Sequence, residues 1–101
     1  MRNIKELNKN GSKVYVYLAN AEIGSKFMRQ AEDEGFVFPD NAKPTEREYA
    51  NVMAVNADGT INYVGANGRI AFGAGAKNIE RIDFAKYAAG EINYHYEKAK
   101  A

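Results

Sequence analysis

The sequence predicts an α+β domain: strand, helix and strand, then an antiparallel meander, with one main amphipathic helix packed on a mostly antiparallel sheet. Three observations predict it. Val14, Val16 and Leu18 alternate with Tyr15 and Tyr17, the period-two pattern of a strand. Ile23, Phe27, Met28 and Ala31 form one stripe at helical spacing. Asp58-Gly59 and Asn67-Gly68 then punctuate strand-forming runs at close spacing, as hairpin turns do.

Taken in order, residues 2–9 read as a short helix, with Ile4 and Leu7 three apart and Asn10-Gly11 as its stop. Residues 13–19 form the clearest strand, apolar or aromatic on both faces and so expected at the centre of the sheet. Asn20 is placed as the N-cap of a helix over 21–34, and Gly35 as its C′ residue. Phe36-Val37-Phe38 reads as a short strand stopped by Pro39, followed by a polar loop to Pro44. Thr45 and Glu48 have capping-box spacing and suggest one helical turn. Strands over 51–56 and 60–64 flank the Asp58-Gly59 turn, and a third strand is expected at 69–72, between glycine-rich turns. Ile82 and Phe84 alternate with charges, which predicts an edge strand at 79–84, then a helical turn through 85–89 stopped by Gly90. The exposed edge at 79–84 offers a route to a homodimer, the alternative to a monomer. Residues 91–101 read as a tail that docks or frays.

A chain of 101 residues without repeat or linker fits one domain spanning 1–101. There is no cysteine, which removes disulfides, thiol nucleophiles and Cys-ligated metals. The start of the chain is too polar for a signal peptide, and no apolar run reaches the roughly 18 residues that span a bilayer. A cytoplasmic protein with no membrane partner is the expectation. A net charge of +1 opposes both a basic nucleic-acid coater and an acidic nucleic-acid mimic. Arg2, Lys5, Lys9 and Lys13 make at most a weak nucleic-acid surface.

No catalytic set, metal site or cofactor emerges. His95 is the only histidine, so no His-based metal site can form. Ser12 and Ser25 lie outside any nucleophile elbow. The acids Glu32-Asp33-Glu34 read most simply as the solvated end of a helix, although they oppose its dipole there; contact with a basic partner is the alternative. Residues 65–75 are rich in glycine but lack the Gly-Lys-Ser/Thr of a phosphate loop. Asn67, Gly68, Arg69 and Lys77 remain candidates for holding a small anion such as a nucleotide. The 39–48 loop supplies Asp40, Lys43, Glu46 and Arg47, and nearby Tyr49 and Tyr63 add half-apolar rings. These six are the candidates for protein contact.

Asn51–Phe72 contains Asp58-Gly59-Thr60-Ile61-Asn62-Tyr63-Val64-Gly65 and then Ile70-Ala71-Phe72. Gly35-Phe36 leads to Lys43-Pro44-Thr45, and Arg81-Ile82-Asp83-Phe84 follows later. In these stretches the chain resembles small proteins carried by phages and prophages of Gram-positive bacteria. The resemblance covers most of the chain and supplies no catalytic residues. It implies a setting, the cytoplasm of an infected or lysogenic bacterium. The resulting expectation is a non-enzymatic accessory protein that occupies a host protein or complex, counter-defence being one version. Small-ligand sequestration and weak nucleic-acid binding are the alternatives.

Overall fold

The computed structural model describes residues 2–8, 13–75 and 79–96. In chain order the elements are β1 (Lys13–Tyr17), α1 (Ala21–Asp33), β2 (Val52–Val55), β3 (Ile61–Tyr63), α2 (Gly65–Ala74), β4 (Ile79–Asp83) and α3 (Phe84–Ala88). Two 3-10 turns, Ile4–Asn8 and Pro44–Glu46, complete the set. The strands form one mixed sheet in the order β3-β2-β1-β4. β1 lies between antiparallel β2 and parallel β4, as its two-sided apolar character requires. The predicted α+β class and the central place of β1 both hold.

The register separates two faces. Val14 pairs with Val55, and Val16 with Met53 and Ile82, so these side chains share one side of the sheet. α1 covers that side through Phe27, Met28 and Ala31, all buried. Ile4, Leu7, Phe36, Phe38 and Phe84 close the same core, with Phe27 and Phe84 edge to face at 5.2 Å. Asn20 caps α1 by accepting from the Ile23 N–H, and Gly35 follows it at φ 90°, the left-handed conformation glycine adopts most readily.

Two of the acids ending α1, Glu34 and Glu32, have internal partners. Glu34 accepts from the Ile4 N–H at 2.8 Å and the Lys5 N–H at 3.0 Å, capping the first 3-10 turn. Glu32 accepts from the Thr45 hydroxyl at 2.6 Å. A contact with a basic partner is therefore not needed to explain their position.

The opposite face corrects the predicted third strand. Residues 69–72 lie in α2, so the meander has two strands, β2 and β3, joined by the Asn56–Gly59 turn. Gly65, at φ 70°, starts the helix directly after β3. β3 and β4 lie at opposite edges of the sheet and run parallel, so the chain must cross a face between them. As a helix this segment crosses the face and brings Phe72 over it, with Tyr17 and Tyr96 at 6.4 and 4.7 Å between ring centroids. Gly68 sits against this face: a Cβ there would lie 2.6 Å from the Val64 Cβ and 3.6 Å from the Tyr15 ring. Asn67-Gly68 is thus helix interior, not a hairpin turn.

Phe36–Phe38 is reduced to a single bridge, Val37 with Thr60. Phe36 and Phe38 are both buried in the core, and the chain turns at once through Asn41, which holds φ 70°. The helical turn near 45–48 is displaced to Pro44–Glu46, where the Glu46 carboxylate accepts from the Lys43 N–H at 2.9 Å. Pro44 occupies the first helical position, where its missing N–H is harmless.

β4 is an edge strand, as expected, and α3 follows it. Its rim does not stand open at 81–83. Asp83 donates to the Tyr94 carbonyl at 2.8 Å, and Tyr96 donates to the Arg81 carbonyl at 3.0 Å. The tail thus docks through residues 94–96. Tail residues 97–101 lie outside the described residues. Among the described residues, no helix is long and apolar enough to cross a membrane.

Candidate functional site

A cleft of about 770 Å³ lies between the middle of α1 and the connector 45–51. Gly24, Ser25, Met28 and Arg29 form the helical wall. Thr45, Arg47, Glu48, Tyr49 and Asn51 form the other.

The cleft has this shape because Gly24 has no side chain. A Cβ at Gly24 would fall 2.3–2.6 Å from three ring carbons of Tyr49. The Tyr49 ring therefore lies directly on the helix backbone and packs against the core. This is the close approach that a glycine inside a helix permits, at about 1 kcal/mol of helix propensity relative to alanine.

The connector is held at further points. Thr45 donates both its hydroxyl and its N–H to Glu32. Arg47 pairs with Asp40, and its guanidinium lies 4.7 Å from the centroid of the Phe38 ring. The Tyr63 ring sits 5.4 Å from that of Phe38, and its hydroxyl donates to the Glu48 carbonyl at 2.7 Å. The Arg47 hydrogen bond holds the Asp40 carboxyl below its ordinary range, and the Thr45 hydroxyl does the same for Glu32. Both carboxylates are thereby stabilised in the charged form that fixes the connector.

Of the six protein-contact candidates, the structure brings Asp40, Arg47, Tyr49 and Tyr63 into one network around Phe38 and the cleft wall. Glu46 ends the adjacent 3-10 turn and Lys43 precedes it, both outside the lining. Sequence reasoning did not single out Gly24, Arg29 or Asn51, and it read Met28 only as core. The available signal was Gly24 itself, a glycine within an otherwise regular amphipathic helix.

The anion candidates do not converge on a phosphate loop. Asn67, Gly68 and Arg69 belong to α2, and Lys77 lies outside the described residues. Arg69 instead edges a shallower groove of about 410 Å³ that it shares with Ala50, Val52, Tyr63 and Val64. His95 lies 3.4 Å from the Glu80 carboxylate, at the docked tail. Among the described residues no group of three or more His, Asp or Glu could hold a metal ion.

No family model, curated protein or solved structure matches the chain.

Proposed function

We propose that this is a non-enzymatic binding protein that acts by occupying a partner protein, and that the cleft between α1 and the connector 45–51 is the surface it uses. The observation that carries the reading is the anchoring of the connector. Tyr49 on Gly24, Thr45 on Glu32 and Arg47 on Asp40 fix one wall. The helical wall presents Ser25 and Arg29 to the groove beside Met28. A simple solvated link needs no such anchors, whereas a binding surface gains from being formed in advance. Following the resemblance in sequence, we place it as a phage- or prophage-encoded accessory protein in a bacterial cytoplasm. Its partner there is a host protein, a component of a defence system being one version.

The test is native mass spectrometry of the protein purified gently from a Gram-positive host. A stoichiometric complex is expected, lost when Ser25→Trp fills the cleft and kept when Ala88→Trp alters α3. Failure of any complex to form in the relevant host, or a complex indifferent to Ser25→Trp, overturns the reading.

A second reading, small-ligand binding, is favoured by one observation: Arg69 and the Tyr63 ring share the smaller groove. A nucleotide held there at a hundredfold excess over its dissociation constant would stabilise the fold by about 2.7 kcal/mol. A flat melting curve across a nucleotide panel removes it.

A further inference from the structure

The two walls of the cleft each contribute an arginine. Arg29 comes from α1, one turn beyond Ser25, and Arg47 comes from the connector. The same lining holds further donors: the Ser25 hydroxyl, the Tyr49 phenol and the Asn51 amide. Glu48 supplies the one carboxylate of the lining. Asp40 answers one N–H of Arg47 from outside the cleft, and a guanidinium carries five. Arg29 takes part in neither of the two ion pairs found among the described residues. The lining therefore carries two cationic side chains against one carboxylate.

We infer that the cleft receives an acidic segment of the partner protein, with a carboxylate seated between Arg29 and Arg47. The inference rests on the proposed use of this cleft and adds the chemistry of what enters it. Charge complementarity selects the occupant. Arginines contributed by both walls suit a carboxylate, and the hydroxyl and amide donors of the lining suit neighbouring backbone carbonyls. Met28 and the Tyr49 ring give the aliphatic part of an acidic side chain an apolar floor. Glu48 opposes the same ligand, which fixes the sign of its substitution.

The experiment is an amide NMR titration of the whole protein at low ionic strength. The probes are a blocked hexaglutamate peptide, a blocked hexaglutamine peptide and inorganic phosphate. Hexaglutamate is expected to shift amides within 24–29 and 45–51 saturably, and added salt should weaken it. Arg29→Gln should weaken it about tenfold, the loss of one charge-assisted contact. Arg29→Lys should restore part of that, and Glu48→Gln should tighten binding about two- to fivefold. Lys86→Gln, an equal change of charge outside the lining, should leave it unchanged.

Shifts spread away from the cleft overturn the inference. So does equal binding of hexaglutamine, or indifference to Arg29→Gln. Phosphate saturating the same amides as tightly as the peptide would make the cleft a free-anion site and overturn the peptide assignment. If hexaglutamate fails while Ser25→Trp still abolishes the cellular complex, the acidic chemistry falls and the binding surface stands. If the complex itself never forms, the surface falls as well.

Discussion

Replacing Gly24 by alanine gives two physical effects of opposite sign. The residue lies inside α1, where alanine in place of glycine adds about 1 kcal/mol of helix propensity. The new methyl would sit 2.3 Å from the Tyr49 ring, a separation that no pair of carbons tolerates, so the ring must leave the helix. A half-buried tyrosine ring covers roughly 80 Å² of apolar surface, and at about 25 cal/mol per Å² its release loses about 2 kcal/mol. The loss exceeds the gain. Gly24→Ala should destabilise the fold by about 1 kcal/mol and lower the melting temperature by about 4–8 °C. In a Tyr49→Ala background the clash is gone, and the same substitution should raise stability by about 1 kcal/mol. Thermal melts of the two single variants and the double variant form the assay, a cycle whose coupling isolates the ring contact. A Gly24→Ala protein that melts higher than the parent would refute the packing of Tyr49 on α1 and remove a wall of the cleft.

The remaining predictions use the same kinds of measurement. Gly73 lies in α2 with nothing within 4 Å of a Cβ position. Gly73→Ala should therefore raise stability by up to about 1 kcal/mol; a clear fall in the melting temperature would contradict a helix at 65–74. Glu34→Ala removes the acceptor for the Ile4 and Lys5 N–H groups and should lose about 1–2 kcal/mol. An unchanged melt would show that the first turn is not capped this way. Tyr87 is buried, its hydroxyl donates to the Asn3 carbonyl, and burial followed by the nearby Glu6 charge pushes its phenol up to about 12. A phenol raised in the fold adds stability that is complete below its ordinary pH of about 10 and lost as the pH climbs toward 12. Ultraviolet titration should show a phenol ionising near pH 12, and Tyr87→Phe should remove that step. Glu32 and Asp40 have the opposite sign: depressed by their hydrogen bonds, they hold the connector above the ordinary carboxylate range and release it as the pH falls below about 4. Amide exchange at 40–47 should accelerate there before the sheet opens.

The parts of the fold legible in the sequence are those whose local pattern and tertiary role agree. The alternation at 14–18 and the stripe Ile23, Phe27, Met28, Ala31 state their own burial, and both elements form as read. Residues 69–72 were illegible because their local pattern is ambiguous. Ile70-Ala71-Phe72 between glycines suits a strand by turn chemistry, and what makes it a helix is topological. The chain must cross from β3 at one edge to β4 at the other, over a face where Tyr17 and Tyr96 receive Phe72. The candidate site was half legible. A restrained polar loop at 39–48 was visible, and its Asp40 and Arg47, with the neighbouring Tyr49, belong to the anchored wall. The opposite wall was not visible. Arg29 looks like any solvated helix residue until Tyr49 is placed on Gly24, a contact between residues 25 positions apart. Two of the acids at 32–34 show another limit: Glu32 and Glu34 read as solvated from sequence, whereas they bond the chain's own Thr45, Ile4 and Lys5.

The central claim, that the α1–connector cleft is where a partner protein sits, is tested most directly by site-specific photo-cross-linking in a Gram-positive host. A photoreactive phenylalanine derivative would replace Ser25 in the cleft or, separately, Ala88 on α3. The account predicts one dominant protein adduct from position 25, abolished by Gly24→Ala, and none of that mass from position 88. Equal adducts from both positions, or an adduct from position 88 alone, would contradict it.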